Sequence, residues 1–169
     1  MLDLRIEHAD PQGADAMALL REAAIDARAL YPDLHAADAP WPTNAPLAAG
    51  GVYVVAYCDG RPVACGALRR LDGGAAEVRR MYVHRDCRRA GVGRAVLRFL
   101  VDEAARRGYR TLRLETGLRQ RPAMRLYESF GFRRIAPFGP YADDPSSVCY
   151  ELALAAPGAS ATGEAARLN

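Results

Sequence analysis

The stretch Val78–Gly93, VRRMYVHRDCRRAGVG, passes from an apolar strand through a basic, glycine-containing turn into the start of a helix. Gly91 and Gly93 carry no Cβ, so the backbone there can turn sharply and bring its N–H groups close to anionic oxygens. A helix N-terminus adds further unpaired N–H groups and partial positive charge. Strand, turn and helix start together predict an anion nest suited to a phosphorylated ligand.

The flanking sequence places that nest in a sheet. Upstream, Val52–Cys58 and Pro62–Leu71 are joined by Asp59-Gly60, which supplies the positive φ values of a tight hairpin turn. Asp72-Gly73-Gly74 turns the chain again, so Ala76–Val83 is read as the third strand of a meander. Downstream, Val92, Val96, Phe99, Leu100 and Ala104 form one stripe of a helix over 92–107, and Gly108 stops it. Thr111–Thr116 then reads as a strand. A strand–helix–strand crossover requires the strands at 76–83 and 111–116 to run parallel, and such sheets bind ligands beyond the C-terminal strand ends. Arg121–Phe130 follows as a helix, opened by Pro122 and closed by Gly131, before a final strand pair near 132–138 and 147–154.

The N-terminal third is less regular. Leu2–Ile6 alternates as a short strand, Asp10-Pro11 marks a helix start, and Asp15–Leu30 has helical periodicity. The segment 33–51 follows Pro32 and carries Pro40, Pro42 and Pro46, so it reads as a loop holding at most one short helix. Within and beside it, Tyr31 and Trp41 are either lids over a ligand or anchors of the loop, and the anchoring reading is favoured. The tail 155–169 is rich in small residues without apolar periodicity and is expected to be mostly disordered, leaving one domain over 1–154.

Composition bounds the function. The 169 residues are half hydrophobic and a quarter charged, enough for one core but not two. All 23 basic residues are arginine and the net charge is +3, which falls short of the continuous basic face of a nucleic-acid binder. Cys58, Cys65, Cys87 and Cys149 show no CxxC spacing, so no metal site is expected and a reducing cytoplasmic setting fits. No run is long and apolar enough for a membrane helix, and the N-terminus is charged too early for a signal peptide.

The segment 77–132 resembles the core of the GCN5-related N-acetyltransferase (GNAT) superfamily. Its [QR]xxGx[GA] signature matches Arg88, Gly91 and Gly93, and LYESFGF at 126–132 is similar to the family's LYE..GF helix end. The resemblance implies an α/β (α+β) fold: a mostly antiparallel mixed sheet, flanked by helices, whose central parallel pair splays to hold a pantetheine arm. The implied cofactor is acetyl-CoA. Its pyrophosphate would lie on the N–H groups of Arg89, Ala90, Gly91, Val92, Gly93 and Arg94, with Arg88 opening the signature. Its pantetheine would pair with the backbone of Met81, Tyr82 and Val83, the Val83 N–H holding the carbonyl oxygen. Gln120 stands where many relatives carry Asn. By the same resemblance Tyr127 is the general acid and Glu77 the general base, although Glu77 could equally be a carboxylate paired with Arg79 or Arg69.

The acceptor is less defined. Period-two alternation sets Glu77, Arg79 and Met81 on one face, where arginines could read a substrate carboxylate; Tyr141, Asp143 and Asp144 could instead meet a cationic amine. Glu115 is a second acid/base candidate. The expected function is acetyl transfer to the primary amine of a small molecule, an amino acid or similar amine, with no nucleic-acid or membrane partner and room for a homodimer. The alternatives are an inactive acyl-CoA-binding module and a protein or peptide N-acetyltransferase.

Overall fold

A computed structural model of the chain describes residues 3–155, so the expected tail falls almost wholly outside the described residues. The elements run β1 (Leu4–His8), α1 (Ala14–Leu30), β2 (Val52–Cys58), β3 (Arg61–Arg70), β4 (Ala75–Val83), α2 (Val92–Arg106), β5 (Thr111–Gly117), α3 (Arg121–Phe130), β6 (Arg133–Ile135) and β7 (Ser147–Ala153). One seven-stranded sheet results, in the order β1-β2-β3-β4-β5-β7-β6. All pairs are antiparallel except β4 and β5, which run parallel as the crossover requires.

The segment 33–51 is the loop expected, its prolines leaving only turns and no helix. One departure from the sequence expectation is local. Arg133–Ile135 is much shorter than the strand expected over 132–138, because only those residues find partners on β7.

The helices divide between the faces. The α2 stripe of Val92, Val96, Leu100 and Ala104 is buried against Val54, Ala64, Val78, Leu112 and Leu114, with Tyr127 and Phe132 at the α3 end. Each fully buried valine or leucine side chain in that layer contributes about 1.5–3 kcal/mol. On the opposite face Ala16 and Leu19 of α1 pack on Tyr53, Val55 and Cys65. Trp41 resolves as an anchor: its ring lies 3.5 Å from the Arg21 guanidinium and 3.7 Å from that of Arg28, which also donates to the Ala39 and Pro40 carbonyls. The loop is thereby clipped to α1.

What positions the site is the divergence of the parallel pair. β4 and β5 are registered only from Ala75–Thr111 to Val78–Leu114. Beyond that point β4 stays with β3 as far as Val83, and β5 stays with β7 as far as Gly117. A gap therefore opens between Arg79–Val83 and Glu115–Gly117.

The alternation expected along β4 does not persist through this region. Between the Ala67–Arg79 and Cys65–Tyr82 pairs, one β3 residue faces two on β4, and Arg80 adopts φ +58°. This is a β-bulge, and it shifts every later side chain to the other face. Met81 consequently leaves the Glu77–Arg79 face and packs with Val83 on the α2 side.

Candidate active site

The turn after β4 is built to leave N–H groups free. A short 3₁₀ turn at Arg85–Cys87 is capped by the His84 imidazole, whose Nδ1 accepts from the Asp86 N–H at 3.2 Å. Arg89 and Gly91 then take φ +63° and +80°, left-handed values that turn the chain into α2. Gly91 is the N-cap, and neither a side-chain cap nor an acidic first-turn residue satisfies the N–H groups of the helix start. A helix N-terminus left bare in this way favours an anionic ligand.

These N–H groups border a cleft of about 1130 Å³ between the end of β4, α2, α3 and the C-terminal half of α1. Its walls include Met81, Val83, Val92, Ala123 and Leu126, and its rim carries Arg85, Arg89 and Arg125. Those three arginines form no salt bridge among the described residues. An apolar groove ending in unpaired guanidinium and N–H groups has the chemistry of a long apolar arm tipped with phosphates, so the residues present fit coenzyme A.

Of the residues the sequence singled out for the cofactor, Met81, Tyr82, Val83, Arg88, Arg89, Gly91, Val92, Gly93, Arg94 and Gln120 all line this cleft; Ala90 does not. The Arg88 side chain is occupied elsewhere: its Nε donates to the Val83 carbonyl at 2.9 Å and its terminal nitrogen to Asp26 at 2.6 Å, tying the strand end to α1. Sequence reading missed the α1 wall of Ala23, Asp26, Ala27 and Leu30. A signal was present in the i, i+4 pair Ala23 and Ala27, small residues that leave room beside a helix.

Tyr127 lines the same cleft, only 6% exposed, packed edge-on against Phe132 and tilted against Tyr150. Its hydroxyl makes no hydrogen bond with another described side chain. Burial, reinforced by the negative charge of Glu115, pushes the phenol far above its ordinary value, so Tyr127 holds its proton at neutral pH.

On the other side of the splay the charges are paired internally. Glu77 is 1% exposed; its Oε1 accepts from Arg69 at 2.6 Å and lies 3.5 Å from the Arg79 Nε, while its buried Oε2 lacks a partner among the described residues. Glu77 sits before the splay, in the stretch still registered with β5. Glu115 is the first β5 residue within it, and its Oε1 accepts from the Ser147 hydroxyl at 2.9 Å. Burial outweighs that hydrogen bond and, with the charges of Asp144 and Glu77, raises the Glu115 carboxyl above the ordinary carboxylate range. Tyr141, on the loop before β7, is pushed up to about 12 by burial and by the Glu77 carboxylate, with a smaller contribution from Glu115. Glu77, Arg79, Glu115 and Tyr141 are thus brought together. Asp144 is turned inward to Ser146, accepting from both its N–H and its hydroxyl.

The α1 end of the loop is fastened across the splay. The Tyr31 hydroxyl accepts from the Arg119 N–H at 3.0 Å, and the Arg119 guanidinium grips Asp33 at 2.5 and 2.9 Å. Among the described residues no His, Cys, Asp or Glu group is arranged to hold a metal ion, and no helix is long and apolar enough to cross a membrane.

Known proteins are similar to this chain in sequence and fold. The Acetyltransferase (GNAT) family model matches residues 16–132. The uncharacterized N-acetyltransferase YsnE of Bacillus subtilis is 45% identical over 86 residues, which cover 50% of this chain and 57% of that protein. The IAA acetyltransferase of Azospirillum brasilense is 41% identical over 103 residues, 60% of this chain and 67% of its own. The matched stretch thus spans little more than half of the first relative and about two thirds of the second. Among solved structures, a candidate acyl-CoA N-acyltransferase of Klebsiella pneumoniae superposes with TM-score 0.74 at 31% identity, covering 90% of this chain and 98% of that one. A GNAT acetyltransferase of Elizabethkingia anophelis solved with acetyl-CoA bound shares the fold at TM-score 0.64 and 16% identity, covering 90% and 99%. Because the family model runs from the first buried residue of α1 through the cleft to Phe132, well over half of the sequence, the chain belongs to the GNAT acetyltransferase family.

Proposed function

We propose that the protein is an acetyl-CoA-dependent N-acetyltransferase that acylates the primary amine of a small, carboxylate-bearing molecule such as an amino acid. The observation that carries the reading is the pairing of a protonated, buried Tyr127 on one side of the β4–β5 splay with a carboxylate, Glu115, on the other.

Acetyl-CoA would supply the electrophilic acyl carbon and the thiolate leaving group. The N–H groups at the start of α2, with Arg85, Arg89 and Arg125, would hold its phosphates, and Met81, Val83 and Leu126 would enclose its arm. We assign proton removal from the amine to Glu115 in preference to Glu77. Glu115 lies within the splay and has a raised carboxyl, whereas Glu77 lies before the splay and is held by Arg69 and Arg79. A base whose pKa is raised towards the working pH is the more effective proton acceptor. The Tyr127 hydroxyl, with no competing side-chain partner among those described, would return a proton to the departing sulfur.

Acceptor size and charge follow from the surroundings. Loop 31–51 is clipped to α1 and to Arg119, and Tyr141 stands beside Glu77; an acceptor site bounded by these segments would favour a small molecule over a peptide. Arg79 commits only its Nε to Glu77 and keeps the rest of its guanidinium for a carboxylate. The test is a transfer screen that follows free CoA across amino acids, their decarboxylated amines, polyamines and short peptides. Amino acids are expected to turn over faster than the matching amines. Turnover of peptides alone would overturn the acceptor assignment, and CoA release with none of them would overturn the enzymatic one.

A further inference from the structure

The bulge that redirects Met81 rests on a residue poorly suited to it. Arg80 is not glycine, yet it adopts φ +58°, a left-handed conformation that costs an L-residue roughly 1–2 kcal/mol. Such a conformation persists only where its surroundings hold it.

Here the hold is traceable atom by atom. The Arg80 Nε donates to the Asn44 Oδ1 at 3.0 Å, and its terminal nitrogen reaches the Thr43 carbonyl at 3.4 Å. The Arg80 carbonyl, taken out of the ladder by the bulge, accepts from the Cys65 thiol at 3.1 Å. Asn44 is itself fixed: it is 6% exposed, and its Nδ2 donates to the Pro11 carbonyl at 2.7 Å. Arg80 finds no carboxylate among the described residues, so its charge is not what the contact satisfies.

The consequence reaches the cleft. Opposite the bulge, Gly66 leaves space that the Met81 side chain fills: a Cβ built there would stand 2.9 Å from the Met81 sulfur and 2.9 Å from Leu100. With the bulge in place, Met81 and Val83 both form cleft wall. Without it, strand alternation would turn both to the α1 face and remove that wall.

We propose that Asn44 and Arg80 form a positioning lock for the cofactor site: Asn44, from the loop between α1 and β2, holds Arg80 in its left-handed conformation and thereby sets the β4 strand end against which coenzyme A lies. Neither residue lines the cleft; both act through Met81 and Val83. The inference rests on the cofactor reading above but not on the acceptor.

The test compares two substitutions at one position in the full chain, read by calorimetric titration with CoA. Arg80→Ala removes the lock and keeps the strain; Arg80→Gly removes the lock and the strain together. Arg80→Ala is expected to weaken CoA binding by about ten-fold, while Arg80→Gly stays within about two-fold of the parent chain. Asn44→Ala should follow Arg80→Ala, and adding Arg80→Gly to it should restore affinity even where the melting temperature stays low. Equal weakening by Ala and Gly would mean that the guanidinium itself serves the ligand, and parental affinity in both would mean that the bulge needs no lock; either result overturns the proposal. A parent chain that binds no CoA would instead overturn the cofactor reading.

Discussion

The two sides of the β4–β5 splay are built on opposite electrostatic plans. On the cleft side the donors are left unsatisfied: the α2 N-terminus has no cap, Arg85, Arg89 and Arg125 have no acid among the described residues, and Tyr127 keeps its hydroxyl free of described side chains. On the far side the polar groups answer one another, Glu77 with Arg69 and Arg79, Glu115 with the Ser147 hydroxyl, and Arg113 with Glu151 at 2.9 Å. Unsatisfied donors mark where a ligand of known charge must come. Satisfied ones hold a shape and show much less of what enters it.

The contrast is broken most severely at Glu115, the far-side carboxylate assigned to remove the amine proton. Glu115→Gln should lower kcat by about a thousand-fold with CoA affinity unchanged, within the range expected for loss of a general base. The acid limb of the pH–rate profile should disappear with it. In the parent chain that limb lies above the ordinary value of 4.5, because the carboxyl is raised and must lose its proton before it can accept one. Activity should therefore rise with pH through this group.

Tyr127→Phe should reduce kcat by about a hundred-fold, again without weakening CoA binding. Equal loss in both would return Tyr127 to a packing role. Since its phenol is pushed far upward, no alkaline loss of activity is expected from it up to its ordinary value of 10.

Glu77→Gln sharpens the other side of the comparison. It removes the charge between two arginines that keep solvent contact, so the cost should be about 2 kcal/mol, below that of a fully buried pair. By thermal melting this is roughly a 4–8 °C decrease for a chain of this size. Activity should fall by less than in Glu115→Gln; the reverse order would exchange the roles of the two carboxylates.

The same division explains what could be read from sequence. The cleft is made largely by backbone, and backbone has strong local signals: Asp59-Gly60 for the hairpin, the 92–104 stripe for the crossover helix, and Gly91 for a sharp turn into it, all found where expected. The bulge carried no such signal. Its left-handed residue is an arginine, held there by Asn44 from thirty-odd positions earlier, and simple alternation therefore put Met81 on the wrong face. The far side depends on contacts made by loops, such as Arg119 with Asp33 and Tyr141 above Glu77, whose partners are distant in sequence. The choice between Glu77 and Glu115 likewise turns on where β4 and β5 part, a property of strand register that neither residue's own neighbours disclose.

The central claim is that the bare N-terminus of α2 holds the phosphates of coenzyme A, and it is tested most directly by calorimetric titration of CoA into the parent chain and into Gly91→Val. Gly91 holds φ +80° with nothing within 4 Å of a Cβ built there, so the substitution perturbs the turn through its backbone conformation and not through a clash. A β-branched residue is poorly tolerated at that angle. Saturable binding by the parent chain, weakened at least ten-fold in Gly91→Val while both chains remain folded, is the predicted result; equal affinity in the two would contradict it.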